Sequence, residues 1–153
     1  MMGGHHAASG AAAWVAVAST APYAFGLYPV SPLGVVSGAL LTAGAALLPD
    51  LDHHSGTIAN SLPPVTRTLA RITERISGGH RRGTHSLLGL AVFVALAGAL
   101  GELTTEVGAL GTIEVGAGLL SVLLMGFALK ALKIAGGAGR SWLLAVLLSL
   151  FIA

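Results

Sequence analysis

Residues 33–54 read LGVVSGALLTAGAALLPDLDHH. The first part, 33–48, carries no charge; the second, opened by Pro49, sets two aspartates beside two histidines. No Asp, Glu, Lys or Arg lies between His6 and Asp50. Such a stretch suits lipid, because a charge near the bilayer centre costs about 2.5–3.5 kcal/mol on insertion scales. The junction at Pro49 therefore predicts a membrane span that ends where the bilayer meets water. Gly34 and Gly38 form a G-x-x-x-G pair. Either they let a second helix backbone approach closely, or they reflect a glycine-rich chain.

The rest of the chain extends this reading. Its 153 residues are 54% apolar and only 9% charged, against roughly 25% charged in a soluble domain. Further apolar segments at 7–22, 86–101, 115–129 and 137–153 read as spans. Pro22, Pro29 and Pro32 are expected to break helix continuity across 22–32, with Tyr23 and Tyr28 as interface anchors. The last segment is short: counted from Ser141 it gives about 20 Å of helix, against a hydrocarbon core of about 30 Å. Either it begins nearer Gly136, with Arg140 snorkelling, or it does not cross fully. Residues 64–77, PVTRTLARITERIS, form an amphipathic helix. Val65, Leu69, Ile72 and Ile76 share one face, and Arg67, Arg71, Glu74 and Arg75 the other. It is expected to lie in the interface plane with its arginines toward headgroups; the plainer alternative is a solvated cap on the bundle. The predicted fold is all-α, a multi-pass transmembrane helix bundle of four to five spans with one interfacial helix, in a single membrane domain over 1–153.

Charge sets the orientation. With the N-terminus inside and the spans alternating, 49–85 and 130–140 fall inside and 102–114 outside. All 8 Lys and Arg residues then lie inside, while Glu102, Glu106 and Glu114 lie outside, as the positive-inside rule requires. The start, MMGGHH, lacks the basic region of a secretory signal and is expected to be retained. There is no cysteine, which excludes disulfides and thiolate metal sites. A net charge of +2 gives no reason to expect nucleic acid. The oligomeric state is not legible.

Three groups of residues could carry chemistry: His5–His6, Pro49–His54 and His80–Ser86. They hold all 6 histidines of the chain and its only two aspartates, and the topology returns all three to one face. Imidazole and carboxylate are ligands for zinc, manganese or iron(II). Asp50 and Asp52 can reach one centre from a turn backbone, and two close carboxylates repel unless a cation lies between them. On a helix His80 and His85 would point in different directions, so His80 is assigned to the preceding loop. The candidate metal ligands are His6, Asp50, Asp52, His53, His80 and His85. A divalent ion there, zinc first, would acidify a water; Asp50 is alternatively its general base. Arg81 and Arg82 suit an anionic oxygen, or serve only as topology determinants. Thr84 and Ser86 suit orienting hydrogen bonds. His54 alone reads as an ordinary interface side chain, and His5 as a neighbour of His6. Membrane lipids, and a phosphate-bearing or lipidic substrate, are the expected partners.

The early His6, then Pro49-Asp50-Leu51-Asp52-His53, then His80-Arg81-Arg82-Gly83-Thr84-His85-Ser86, resemble the YdjM-type family of bacterial inner-membrane proteins, described as predicted metal-dependent hydrolases. The opening MMGGHHAASGAAAW resembles actinobacterial members. The resemblance covers about residues 1–90 closely and implies localisation in the bacterial cytoplasmic membrane. It also implies a distant kinship with zinc-dependent phospholipases C and single-strand nucleases. Many members carry a further histidine and aspartate on a later span, where this chain has Lys130 and Ile134. The competing reading is accordingly a non-catalytic, metal-stabilised membrane scaffold or lipid-binding protein. A transporter or channel component ranks last, because Thr42 and Ser121 are the main polar candidates within the spans.

Overall fold

The computed structural model describes residues 2–80, 82–108 and 111–152. Six α-helices appear among them: α1 (Met2–Phe25), α2 (Pro32–Ala45), α3 (Val65–Ile76), α4 (Leu87–Gly101), α5 (Val115–Ala131) and α6 (Ala138–Ile152). Helix α2 continues through a short turn into a 3₁₀ segment, Leu48–Asp52. Together, Pro32–Asp52 is the one stretch among the described residues long and apolar enough to cross a membrane, with mean hydropathy 1.6. Helices α4, α5 and α6 are apolar but shorter.

Local chemistry explains the element ends. Ser31 caps α2, its hydroxyl accepting from the Gly34 N–H, and Pro32 occupies the first turn where its missing donor costs nothing. Ser86 caps α4 in the same way, accepting from the Gly89 N–H. Helix α3 stops at Gly78, whose φ of 76° turns the chain while the Gly79 N–H returns to the Glu74 carbonyl at 2.9 Å. Helix α5 ends by the same device, with Ile134 N–H on the Leu129 carbonyl. There the left-handed residue is Lys133, φ 57°, rather than glycine. A side chain in that conformation costs about 1–2 kcal/mol.

The break expected across 22–32 lies between Phe25 and Pro32. Pro22 does not end the first helix; α1 runs through it to Phe25. So close to the terminus, proline forfeits only the bond to the Ala18 carbonyl, and the last turn still forms. Between α4 and α5 the chain is not purely irregular: Thr105–Glu106 pairs antiparallel with Thr112–Ile113.

Helix α2 lies at the centre, against α1 on one side and α5 on another, and α5 carries α6. The backbones meet through small residues. A Cβ at Gly44 would lie 2.0 Å from the Leu124 carbonyl oxygen, so α2 and α5 touch where no side chain fits. Of the predicted G-x-x-x-G pair only Gly38 faces another helix: its Cβ would meet the Trp14 ring at 2.2 Å, and that indole donates to the Val35 carbonyl at 3.1 Å. Gly34 meets only Val30 and Ser31 of its own chain. One apolar cluster joins Ala7, Ala43, Leu47, Ile58, Phe127 and Ala128; a second joins Met125, Leu129 and Ala145.

Helix α3 packs on the 3₁₀ segment with a face of small residues, Thr66 and Ala70, both buried. Its apolar face, Val65, Leu69, Ile72 and Ile76, stays exposed. Helix α4 buries no residue; it packs mainly along α5 and touches the 3₁₀ segment.

Candidate functional site

The site forms where the 3₁₀ segment meets the loop between α3 and α4. The tight turn, with Asp50 N–H on the Leu47 carbonyl at 3.0 Å and His53 N–H on the Asp50 carbonyl at 3.1 Å, sends its two aspartates in different directions. Asp52 points inward and is fully buried; Asp50 keeps 13% of its side chain exposed. Opposite them, the Gly83 N–H bonds the Ser77 carbonyl at 3.1 Å, and Ser86 donates to the Gly83 carbonyl at 2.6 Å. A Cβ at Gly83 would crowd Ser77 at 2.9 Å. This compact loop presents His80, Thr84 and His85 to the aspartates.

Asp52 organises the cluster. Its Oδ1 lies 2.7 Å from His80 Nδ1, and its Oδ2 accepts from the Thr84 hydroxyl at 2.6 Å. A buried carboxylate keeps its charge only with such donors. His80 therefore carries a proton on Nδ1, and in a neutral ring Nε2 keeps a lone pair. The Thr84 proton is committed to Asp52, so toward His85 Nδ1, 3.2 Å away, Thr84 Oγ1 can only accept. That places a proton on His85 Nδ1, and in a neutral ring a lone pair on Nε2. His85 Nε2 in turn faces Asp50 Oδ1 at 3.5 Å. A lone pair facing a carboxylate repels unless a positive charge, a proton or a metal ion, lies between them.

His53 joins from the same turn. Its ring stands 4.6 Å from that of His80, and the His80 and His85 rings stand 5.6 Å apart. His53 Nδ1 accepts from the Ser55 N–H at 3.2 Å, with the Ser55 hydroxyl also at 3.0 Å. His54 turns outward to Glu74 of α3 at 3.2 Å, tying that helix to the turn.

Of the sequence-predicted residues, the structure thus gathers Asp50, Asp52, His53, His80 and His85. His6 sits half-buried at the same end, next to Ala7 of the core. Among the described residues, no hydrogen bond, ion pair or ring contact joins its imidazole to the cluster. Arg81 lies outside the described residues, and Arg82 is exposed. As placed, no three His, Asp or Glu side chains among the described residues converge closely enough to hold a metal ion. Thr84 orients, as its position suggests; Ser86 serves the helix cap.

A second feature lies beside this cluster. A cleft of about 690 Å³ is bordered by the first turn of α1, including His5, by residues 55–60 and by Lys130–Lys133. Asn60 braces it, donating to the Ser55 and Gly56 carbonyls at 3.0 Å and accepting from Arg67 at 2.8 Å. The Lys130 ammonium donates to the Asn60 carbonyl. Ile134 is exposed. Sequence reasoning missed Ser55, Asn60 and the cleft. The S-G-T run at 55–57, directly after the histidines, was the signal available.

The fold and this end-on arrangement define a class: a mostly helical protein with one membrane-span candidate among the described residues and a histidine–aspartate cluster at the end of its apolar helices. The family described as YdjM inner membrane protein matches residues 1–152, and the chain belongs to that family. No curated protein and no solved structure matches it.

Proposed function

We propose that the protein is a membrane-embedded, metal-dependent hydrolase whose site lies at the cytoplasmic face and acts on a phosphoester, with the N-terminus inside. Helices α1, α2, α4, α5 and α6 are its spans. The arrangement of charge supports the orientation: the start of α1, the 3₁₀ segment, the 80–85 loop and Lys130 meet at one end, with Gly3 against Thr57, Asp52 against His80 and Lys130 against Asn60. Helix α3, with its apolar face bare, rests on the inner leaflet.

The observation that carries the reading is the pair of imidazoles oriented by one buried carboxylate. Asp52 holds His80 directly and His85 through Thr84. A carboxylate gripping the far nitrogen of a ligating histidine is the usual support of a metal site. The donor set fits. His85 Nε2 and Asp50 Oδ1 stand 3.5 Å apart, and a divalent ion would be a positive charge that both can accept. We take His80, His85 and Asp50 as the ligands; as placed they do not converge on one point, so a bound ion would have to draw them together. His53 joins them if its ring turns to release Ser55, and His6 if α1 brings it across. When bound, a divalent ion, zinc above all, with manganese or iron(II) as alternatives, supplies an acidified water near neutral pH. Asp52 keeps both imidazoles in their ligating tautomer. Asp50 either completes the donor set or takes the proton of the attacking water. To Arg81 and Arg82 we assign, on the chemistry of the guanidinium alone, the anionic oxygens of the substrate.

One observation favours a metal-tied scaffold instead: Lys130 and Ile134 supply no ligand. Metal content and turnover of detergent-purified protein separate the two. Hydrolysis of a phosphodiester or phospholipid, lost in Asp50→Asn with the fold intact, supports the enzyme. Bound metal without turnover across a broad panel supports the scaffold. Metal content unaffected by His80→Ala/His85→Ala overturns both.

A further inference from the structure

We infer that the cleft between the first turn of α1 and the end of α5 is a phosphate-binding site, separate from the histidine–aspartate cluster and bordering it through Ser55. Three observations lead there. First, the lining is donor-rich and one-signed. Lys130, Lys133, Ser55 and Thr57 line it, and no Asp or Glu does among the described residues. Second, Lys130 is not an ordinary solvated charge, although Lys133 is exposed. Lys130 is half-buried, its ammonium on the Asn60 carbonyl. An ammonium has three donors, so two remain. Neither lysine forms an ion pair with a carboxylate among the described residues. A partly desolvated cation without a counter-charge favours an anion beside it. Third, Lys133 occupies a left-handed position, φ 57°, that glycine would fill without strain. Strain retained at such a point marks a side chain kept for what it does.

The walls leave room. At Gly3 a Cβ would meet Thr57 Oγ1 at 2.3 Å, so α1 comes close enough to close one side without filling the space with a side chain. The volume, about 690 Å³, exceeds a bare phosphate and suits a phosphate group that enters with part of a larger molecule. Two lysines and two hydroxyls bind a phosphate by charge and hydrogen bonds, with no metal needed. Two sources share this chemistry: free inorganic phosphate and the phosphate of an anionic lipid headgroup.

The inference deepens the proposed function by giving a phosphoester substrate its holding site, and in that respect rests on it; phosphate binding itself does not require that reading. The test uses the full chain in detergent, stripped of metal by a chelator and titrated calorimetrically with inorganic phosphate. A parallel titration uses dihexanoyl phosphatidic acid below its micelle concentration, with dihexanoyl glycerol as the phosphate-free control. Saturable binding of phosphate alone identifies the free anion, and binding of the phosphatidic acid but not the glycerol identifies the headgroup; either supports the site. Lys130→Met/Lys133→Gly should weaken binding about tenfold or more. Lys133→Gly alone, which relaxes the backbone, should weaken it too. His80→Ala/His85→Ala should leave it unchanged. Absence of saturable binding by either phosphate ligand, or unchanged binding in the lysine variants, overturns the inference. So does loss of binding in the histidine variant, which would move the phosphate to the other cluster. Failure of the metal reading shows separately, as missing metal or turnover with phosphate binding intact.

Discussion

Asp52→Asn is the most informative single change. The amide keeps the shape of the carboxylate but offers one acceptor and one donor group where two acceptors stood. Asp52 now serves His80 Nδ1 at 2.7 Å and Thr84 Oγ1 at 2.6 Å, from a fully buried position. Whichever way the amide turns, one partner meets an N–H. If that partner is Thr84, its hydroxyl must rotate, and His85 loses the acceptor that fixed its tautomer. If it is His80, the imidazole proton moves to Nε2 and the ligating lone pair is lost. Hydrogen bonds to a charged group contribute about 1.5–3 kcal/mol each. One is weakened and one inverted, so stability should fall by about 2–3 kcal/mol, a drop of roughly 5–10 °C in Tm for a chain of this size. Metal affinity should fall about 10–100-fold. Thermal unfolding in detergent reads the first effect, and metal content against a competing chelator the second. Asp50→Asn is the control: it should lose metal while Tm holds or rises, because it removes a carboxylate facing the His85 lone pair. An Asp52→Asn protein with unchanged Tm and unchanged metal affinity would refute the orienting role.

Thr84→Val cuts the relay to His85 but leaves His80 on Asp52; metal affinity should fall about tenfold, with His80 protection still visible by NMR. Gly44→Val drives a side chain into the Leu124 carbonyl and should cost about 3 kcal/mol or more by separating α2 from α5, whereas Gly98→Ala, with open space around it, should be nearly neutral in the same detergent melt. Lys133→Gly should raise stability by about 1 kcal/mol. Ile76→Trp on α3 should be quenched by brominated lipid in vesicles, and Arg71→Trp much less, if the bare apolar face meets the leaflet.

Much of the fold was legible because uncharged, apolar helices are read by composition. The predicted 33–48, 86–101, 115–129 and 137–153 become α2, α4, α5 and α6 with ends shifted by a few residues. The amphipathic helix is found at Val65–Ile76, and His80 lies in the loop, as its spacing from His85 required. Composition does not fix the number of spans: among the described residues only Pro32–Asp52 is both long and apolar enough to cross a membrane. The short hairpin had a signal, β-branched residues at Thr105 and Thr112–Ile113 around Gly108 and Gly111; the glutamates drew attention away from it. Within the site, composition pointed to the right residues but could not separate Asp50 from Asp52. Their difference comes from the 3₁₀ turn, which buries one and leaves the other facing His85. Ser55 and Lys130 act through contacts far apart in sequence, and no spacing rule foretells those.

The bare surface of α4 bears on how the protein is assembled. No residue of that helix is fully buried, and the loop that precedes it is fastened to the bundle by His80 and Thr84 on a single buried acid. The chemistry of the cluster is thus also a clasp for the outermost helix. An ion that tightens the imidazoles would draw α4 inward, and a lost proton or ion at the cluster would be felt as loosening along its whole length.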